Sequence, residues 1–341
     1  MAKNNLLAKL KKASTIAETD VLADTKFFQF ERIVTEIPAL NVAFNGELNG
    51  GLSAGVTMLA GESRSFKTGF MIQLAKAFQN QHDDGVIIFY DSEFSNIEYW
   101  VDAGIDISRV LHSPITTVEQ LKIDMSTQLD ELTVEDNVLF LTDSIGGLAS
   151  KKEAEDAVDG KSTVDMTRAK ALNSLLRIVT PQLKLKNIPW VLINSFYETM
   201  EMYPKRVYAG GKKVFLSCDD VWFIRRKQEK KGNDKIGWVF TLVSDKSRDI
   251  VEGSTFPIVI TYEGGINKRS GLYDWAKEAG MISVAGAWIK LVDFDTGGVY
   301  EDKNFRVDDI PDVWYDRLLA DDKFNEFIKC KFKLNYNNKS K

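Results

Sequence analysis

The sequence predicts an α/β protein: a mostly parallel β-sheet with helices on both faces, continued by an antiparallel extension. Two observations carry this. Apolar, β-branched runs at 56–60, 86–91, 138–143 and 190–194 alternate with segments of helical spacing at 71–80, 116–131 and 165–187. Beyond residue 214, β-rich runs ("DDVWFI", "WVFTLV", "FPIVITY") follow one another, with a turn at Lys231-Gly232-Asn233-Asp234. The bulk numbers agree. The chain has 341 residues, 44% hydrophobic and 27% charged, enough to bury a large core without staples. Cys218 and Cys330 suggest neither a disulfide framework nor a metal site, and a reducing cytoplasm fits them. No apolar run reaches membrane-spanning length, and "MAKNNLLAKLKKAS" has no secretory h-region. A net charge of −5 argues against wholesale coating of nucleic acid but leaves room for a local basic face.

In chain order, Leu6, Leu7 and Leu10, with lysines between them, predict a short amphipathic helix over 3–14. "TKFFQF" (25–30) is an apolar cluster. Its Phe27 and Phe28 read as packing residues, or as an element that docks on a neighbouring subunit. The strand–helix alternation then occupies 33–270. After it, "LYDWAKEAG" is a helix ended by Gly280, "AWIKLVDFDTGGVYE" a hairpin turning at Gly297-Gly298, and a last helix lies near 311–330. The expected division is 1–32, 33–270 and a small C-terminal domain, 271–341.

The first strand runs into Gly61-Glu62-Ser63-Arg64-Ser65-Phe66-Lys67-Thr68 and then into a helical segment. This nearly matches the phosphate loop G-x-x-x-x-G-K-[ST], with Phe66 in place of the second glycine. The context is the one the motif demands, and the phosphate-binding donors are backbone amides, which Phe66 retains. Lys67 would reach the β/γ-phosphates and Thr68 would hold Mg²⁺. "VLFLTD" ends in Asp143, placed to hold Mg²⁺ through water. "VIIFYDSEF" ends in Asp91-Ser92-Glu93, where Glu93 could deprotonate the attacking water. A single acid at a strand end is usually a turn or cap residue. Lys, Asp and Glu at three strand ends of one parallel sheet point to a nucleotide site.

These residues, in this order and followed by "INS" and a Gly-Gly loop, resemble the RecA-type recombinases, and more closely the UvsX recombinases of T-even-type phages. Those share the Phe before the loop lysine, together with "KFF", "FYDSEF", "LASKKE", "DMTRAK", "KNIP", "YET" and "KSR". The resemblance covers nearly the whole chain. It implies a RecA-like P-loop ATPase core, ATP and Mg²⁺ as cofactors, and DNA-dependent ATP hydrolysis. It makes Glu93 the catalytic carboxylate and stacks Tyr99 on adenine. It sends Lys246 and Arg248 across a subunit interface to the neighbour's γ-phosphate. It gives the "KFF" segment a role in polymerisation. Implied partners are single-stranded DNA, homologous duplex DNA, further copies of the chain, and possible accessory factors: a recombination mediator, a single-strand-binding protein and a helicase. The host bacterial cytoplasm is the implied location.

Two loops would face DNA, at about 151–164 and 195–213. The second sets aromatics beside Lys205, Arg206, Lys212 and Lys213, with Gly210 and Gly211 free to change shape, a composition suited to single strands. Arg168 could touch phosphate. From Met202 to Arg248 there are 12 Lys/Arg against five Asp/Glu, a local basic surface. The chain departs from the family at Ser195, where a longer polar γ-phosphate sensor is usual, and in ending without a long acidic tail. Two rivals share these motifs: a hexameric helicase of RecA fold and an ATP-gated DNA-binding module without strand exchange.

Overall fold

The computed structural model describes residues 2–25, 31–160, 167–202 and 206–334, in two compact units, 1–31 and 32–341. Phe27, Phe28 and Lys205 lie outside the described residues. The small unit holds α1 (Ala2–Ala13), as the leucine spacing predicts. Leu6, Leu7 and Leu10 are exposed, and Lys11 pairs with Asp20 at 2.5 Å.

In the large unit α2 (Pro38–Asn45) precedes a strand–helix alternation. β1 (Gly55–Gly61) leads to α3 (Lys67–Gln81), β2 (Val86–Asp91) to α4 (Glu98–Asp102), and β3 (Val110–Pro114) to α5 (Val118–Glu131). β4 (Val138–Asp143) leads to α6 (Lys151–Val158) and α7 (Thr167–Leu185). β5 (Pro189–Asn194) is followed by the pair β6 (Phe196–Glu198) and β7 (Arg206–Tyr208), and then by α8 (Lys212–Ser217). β8 (Asp220–Lys231), β9 (Asp234–Lys246), β10 (Thr255–Thr261) and β11 (Gly265–Ile266) extend the sheet. The described chain closes with α9 (Leu272–Glu278), β12 (Ile282–Ala285), β13 (Trp288–Leu291), α10 (Asp312–Ala320) and α11 (Asp322–Phe332).

The nine-stranded sheet has the order β11-β10-β9-β8-β1-β5-β4-β2-β3. It is parallel from β8 to β3 and antiparallel from β8 to β11. β1, β4 and β5 are buried along their whole length, which is why they read as continuous apolar runs rather than alternating ones. One face carries α2, α3 and the C-terminal elements, and the other carries α5, α7 and α8. The carboxyl ends of β1, β2, β4 and β5 therefore share one edge, where such sheets bind ligands.

Four elements differ from the sequence expectation. The described part of the 151–164 loop is mostly helix: Ser150 and Glu153 form a capping box that starts α6. The 195–213 loop contains the antiparallel pair β6–β7. The C-terminal hairpin forms one strand earlier, β12 against β13, and Gly297-Gly298 only closes a bridge between Val292 and Val299. The last helix is two, broken at Asp321, whose carboxylate caps α11 through the amide of Phe324 at 2.7 Å. Trp275, Trp314, Phe324 and Phe332 share one continuous apolar cluster with Phe44, Trp222 and Phe256.

Candidate nucleotide site and basic groove

The candidate phosphate loop turns from β1 into α3 with Phe66 where the motif has its second glycine. Gly61 leaves no room for a side chain: a Cβ there would lie 2.6 Å from the Ser65 hydroxyl and 2.7 Å from the Ile224 carbonyl. Arg64 and Phe66 both adopt positive φ, 62° and 64°. The Phe66 side chain turns into the core, stacking on Phe240 at 5.2 Å and meeting Phe70 edge-on at 5.3 Å. Gly69 makes this possible, because a Cβ there would stand 2.4 Å from the Phe66 ring. Glu62, Ser63 and Arg64 are exposed, and Ser65 is buried.

Lys67 opens α3 and folds back on the loop, donating to the carbonyls of Gly61 (3.1 Å) and Glu62 (2.7 Å). Burial lowers its pKa, against the opposing pull of Asp143 and Glu93. Thr68 donates to Asp143 at 2.6 Å. Burial pushes Asp143 up to about 6, with Glu93 and Asp91 adding to the rise and Thr68 and Lys67 opposing it. The Asp143 carboxylate with the Thr68 hydroxyl on one oxygen is an oxygen pair of the kind a divalent cation takes beside a nucleotide; among the described residues no cluster of three or more Asp, Glu, His or Cys would hold a metal by itself. A cavity of about 510 Å³ beside the loop is lined by Arg64, Lys67, Thr68, Gln73 and Tyr99, so the loop and the exposed Tyr99 face one space. Its size and lining fit a nucleotide.

Glu93 follows β2 and accepts from the Ser144 hydroxyl at 3.0 Å. Ser92 ties the same two strand ends together, donating to the Ser144 carbonyl at 2.9 Å and accepting from the Ser144 amide at 2.9 Å. At the end of β5, Asn194 is buried and donates to the Ala209 carbonyl at 3.0 Å, while its oxygen accepts from the Ser195 amide at 2.9 Å. A Cβ on Gly146 would lie 2.5 Å from the Ser195 hydroxyl. Asn194 and Ser195 thus join β5 to the segment that leads to Gly210.

Lys246 and Arg248 lie far from the phosphate loop of their own chain. Lys246 pairs with Val221, which sits beside Met58 at the middle of β1. Its ammonium donates to the carbonyls of Leu216 (2.8 Å) and Cys218 at the end of α8. Arg248 pairs with Asp219 at 2.9 Å, and Asp219 also accepts from the amide of Val56.

The expected DNA residues divide into two groups. Arg168 turns inward, donating to the carbonyls of Ile145 (3.2 Å), Gly146 (2.5 Å) and Leu148 (2.6 Å). Arg206 grips Asp245 with contacts of 2.9 and 2.7 Å and lies over Phe223. Lys212 and Lys213 are exposed in the first turn of α8, after Gly210 and Gly211 at φ 86° and 83°. Sequence reasoning missed Lys170 and Arg177. With Lys213 they line a groove of about 610 Å³ between α7 and α8. The Asn173 oxygen and Thr180 hydroxyl in that groove are buried without a partner. The available signal was the seven-residue spacing of 170 and 177, two turns of one helix.

No family model matches the chain. A recombination and repair protein of Enterobacteria phage T4 is 41% identical to it over 338 residues, 97% of this chain and 86% of that protein. A RecA protein of Tropheryma whipplei is 26% identical over 269 residues, 76% of this chain, which spans only 60% of that relative. A RecA protein of a Nocardioides species is 26% identical over 287 residues, 81% of this chain and 79% of that protein.

Proposed function

This chain belongs to the family of RecA-type recombinases, and on that footing we propose how its residues carry out ATP-dependent DNA strand exchange. The observation that carries the reading is one sheet edge bearing a phosphate loop, a Thr68–Asp143 pair at 2.6 Å and a carboxylate, Glu93, beside them. The amides of Gly61 to Thr68 take the phosphates, and Lys67 exchanges its loop carbonyls for the β/γ-phosphates. Thr68 and, through water, Asp143 would hold Mg²⁺. Magnesium, when bound there, neutralises charge on the transferring phosphoryl group. Glu93 accepts the proton of the attacking water, and Tyr99 stacks on adenine. Lys246 and Arg248 serve the nucleotide of a neighbouring protomer, so hydrolysis resets a subunit interface. Ser195 and Asn194 relay the phosphate state to the 195–213 segment.

DNA-bound protomers form a helical filament on single-stranded DNA and pair it with homologous duplex. The basic groove of Lys170, Arg177 and Lys213 supports a backbone-tracking contact, and Lys212, Gly210 and Gly211 precede Lys213 in the chain. Phe27 and Phe28 carry polymerisation in the organisation 1–32, 33–270 and 271–341. A mediator, a single-strand-binding protein and a helicase are the accessory partners we assign, in the cytoplasm of a bacterial host. The test is steady-state ATP hydrolysis with and without single-stranded DNA. Strong stimulation that disappears in Lys67→Ala is expected. Turnover indifferent to DNA overturns the reading.

A further inference from the structure

Glu93 stands on a poorly packed segment. Phe94 and Ile97 are 63% and 59% exposed, and Phe94 has φ 52°. Beneath the segment lies a cavity of about 140 Å³ lined by Phe89, Ser95, Trp100 and His112, in which the buried Ser95 hydroxyl has no partner. Packing alone does not fix the backbone here. Hydrogen bonds do: Ser92 ties the strand end to Ser144, and Asp91 holds the two amides beyond it. Asp91, 1% exposed at the end of β2, accepts from the amides of Glu93 (3.0 Å) and Phe94 (2.7 Å) through one oxygen. Its other oxygen meets His112 Nε2 at 3.2 Å. A carboxylate only accepts, so His112 is the donor in that contact. His112 reaches across from β3, where it registers with Phe89 and meets that ring at 5.6 Å, tilted by 32°.

From this geometry we infer that Asp91 and His112 are positioning residues for Glu93. Asp91 sets the backbone that aims the carboxylate, and His112 holds Asp91 from the neighbouring strand. Ser144 restrains the Glu93 side chain itself and is a separate restraint. A carboxylate buried with only amide donors turns toward whatever donor remains. Without His112, the second oxygen of Asp91 loses its donor, the carboxylate re-orients to regain one, and the Glu93 and Phe94 amides that it holds move with it over the adjacent cavity. A shift of about 1 Å in a general base lowers turnover on the order of 100-fold at most. The phosphate loop and the basic groove use other residues, and Ser95 alone lines both this cavity and the nucleotide cavity, so nucleotide and DNA binding are spared.

The inference rests on Glu93 as the catalytic carboxylate, and the experiment separates the two. DNA-stimulated ATP hydrolysis is measured for His112→Leu, His112→Asn, His112→Gln and Glu93→Gln. Thermal unfolding and single-stranded DNA binding with a non-hydrolysable ATP analogue are measured alongside. Leu has no donor, the Asn amide is too short to reach, and Gln can replace Nε2. The expected result is a kcat about tenfold lower in the Leu and Asn variants, with KM for ATP and DNA binding unchanged and most of kcat regained in the Gln variant. Unchanged kcat in His112→Leu alongside a dead Glu93→Gln overturns the positioning role and leaves Glu93 standing. Equal loss in all three His112 variants, with lower unfolding temperatures and weaker ATP binding, makes the contact merely structural and also overturns it. Normal turnover in Glu93→Gln overturns the reading beneath.

Discussion

Phe66 holds a left-handed backbone position, φ 64°, that a glycine usually fills, and the strain of that position is offset by packing rather than avoided. Its ring lies between Phe70 and Phe240, in the space that Gly69 leaves open. The glycine requirement has moved three residues along the chain. Gly69→Ala is therefore expected to displace the ring and the loop together. Thermal unfolding should report a loss of about 1–3 kcal/mol from overpacking, with weaker nucleotide binding by titration. Unchanged affinity would show that loop shape does not depend on the ring. Asp143 gives a second residue-scale prediction. Its pKa is pushed up to about 6, from an unfolded value near 4. A raised acid favours the folded state most below about pH 4, and that contribution is lost as pH rises through about 6. Magnesium needs the ionised carboxylate, so its binding runs the other way. Mg²⁺-dependent affinity for a non-hydrolysable ATP analogue should fall as pH drops from about 7.5 to about 5.5, where Asp143 becomes protonated. A flat profile would remove Asp143 from the cation site.

At the scale of elements, α7 and α8 present Lys170, Arg177 and Lys213 to one groove. Each phosphate contact removed should reduce the salt dependence of single-stranded DNA binding by about 0.7 in log–log slope. Lys170→Ala and Arg177→Ala are expected to weaken binding across sequences while leaving ATP binding intact, measured by fluorescence anisotropy over a salt series. An unchanged slope would take the groove out of the DNA path. This groove was illegible in the sequence, although the strands were not. β1, β4 and β5 announce themselves because a doubly covered strand must be apolar throughout, a property each segment carries alone. The proposed phosphate loop and its acids could be named for the same reason, since each lies within one segment or at one strand end. The destination of Arg168 was not. It depends on the 145–148 backbone coming to meet it from a segment about twenty residues away. Arg206 likewise meets Asp245 only because β7 comes up against the end of β9. The hairpin was misplaced because Gly297-Gly298 is a sound turn signal, while the pairing of β12 with β13 is decided by the cores of Ile282, Ile289 and Leu291.

At the scale of the molecule, the sheet separates two halves of one proposed catalytic apparatus. Asp219 holds Arg248 beside Val56, at the start of β1, and the phosphate loop follows its end at Gly61, roughly 15 Å along the strand. Lys246 points the same way, onto the carbonyls at the end of α8. Neither cation faces its own chain's loop, so a charge-neutralising role requires a second protomer in a head-to-tail contact. That contact would also engage α8, whose first turn carries Lys212 and Lys213, so the elements proposed to meet a neighbour's nucleotide and the proposed DNA surface would share one helix. The consequence can be tested by mixing. Lys67→Ala lacks a working loop but keeps its cations. A Lys246→Ala/Arg248→Ala double variant keeps its loop but lacks the cations. Each alone is expected to be nearly inactive in DNA-stimulated hydrolysis. Mixed in equal amounts, random head-to-tail neighbours would pair a working loop with working cations at roughly a quarter of the interfaces, and hydrolysis should recover in that proportion. Recovery that requires both variants and vanishes when assembly is blocked would establish action between protomers. No recovery, with filaments still forming on DNA, would confine Lys246 and Arg248 to holding α8 and Asp219 within their own chain.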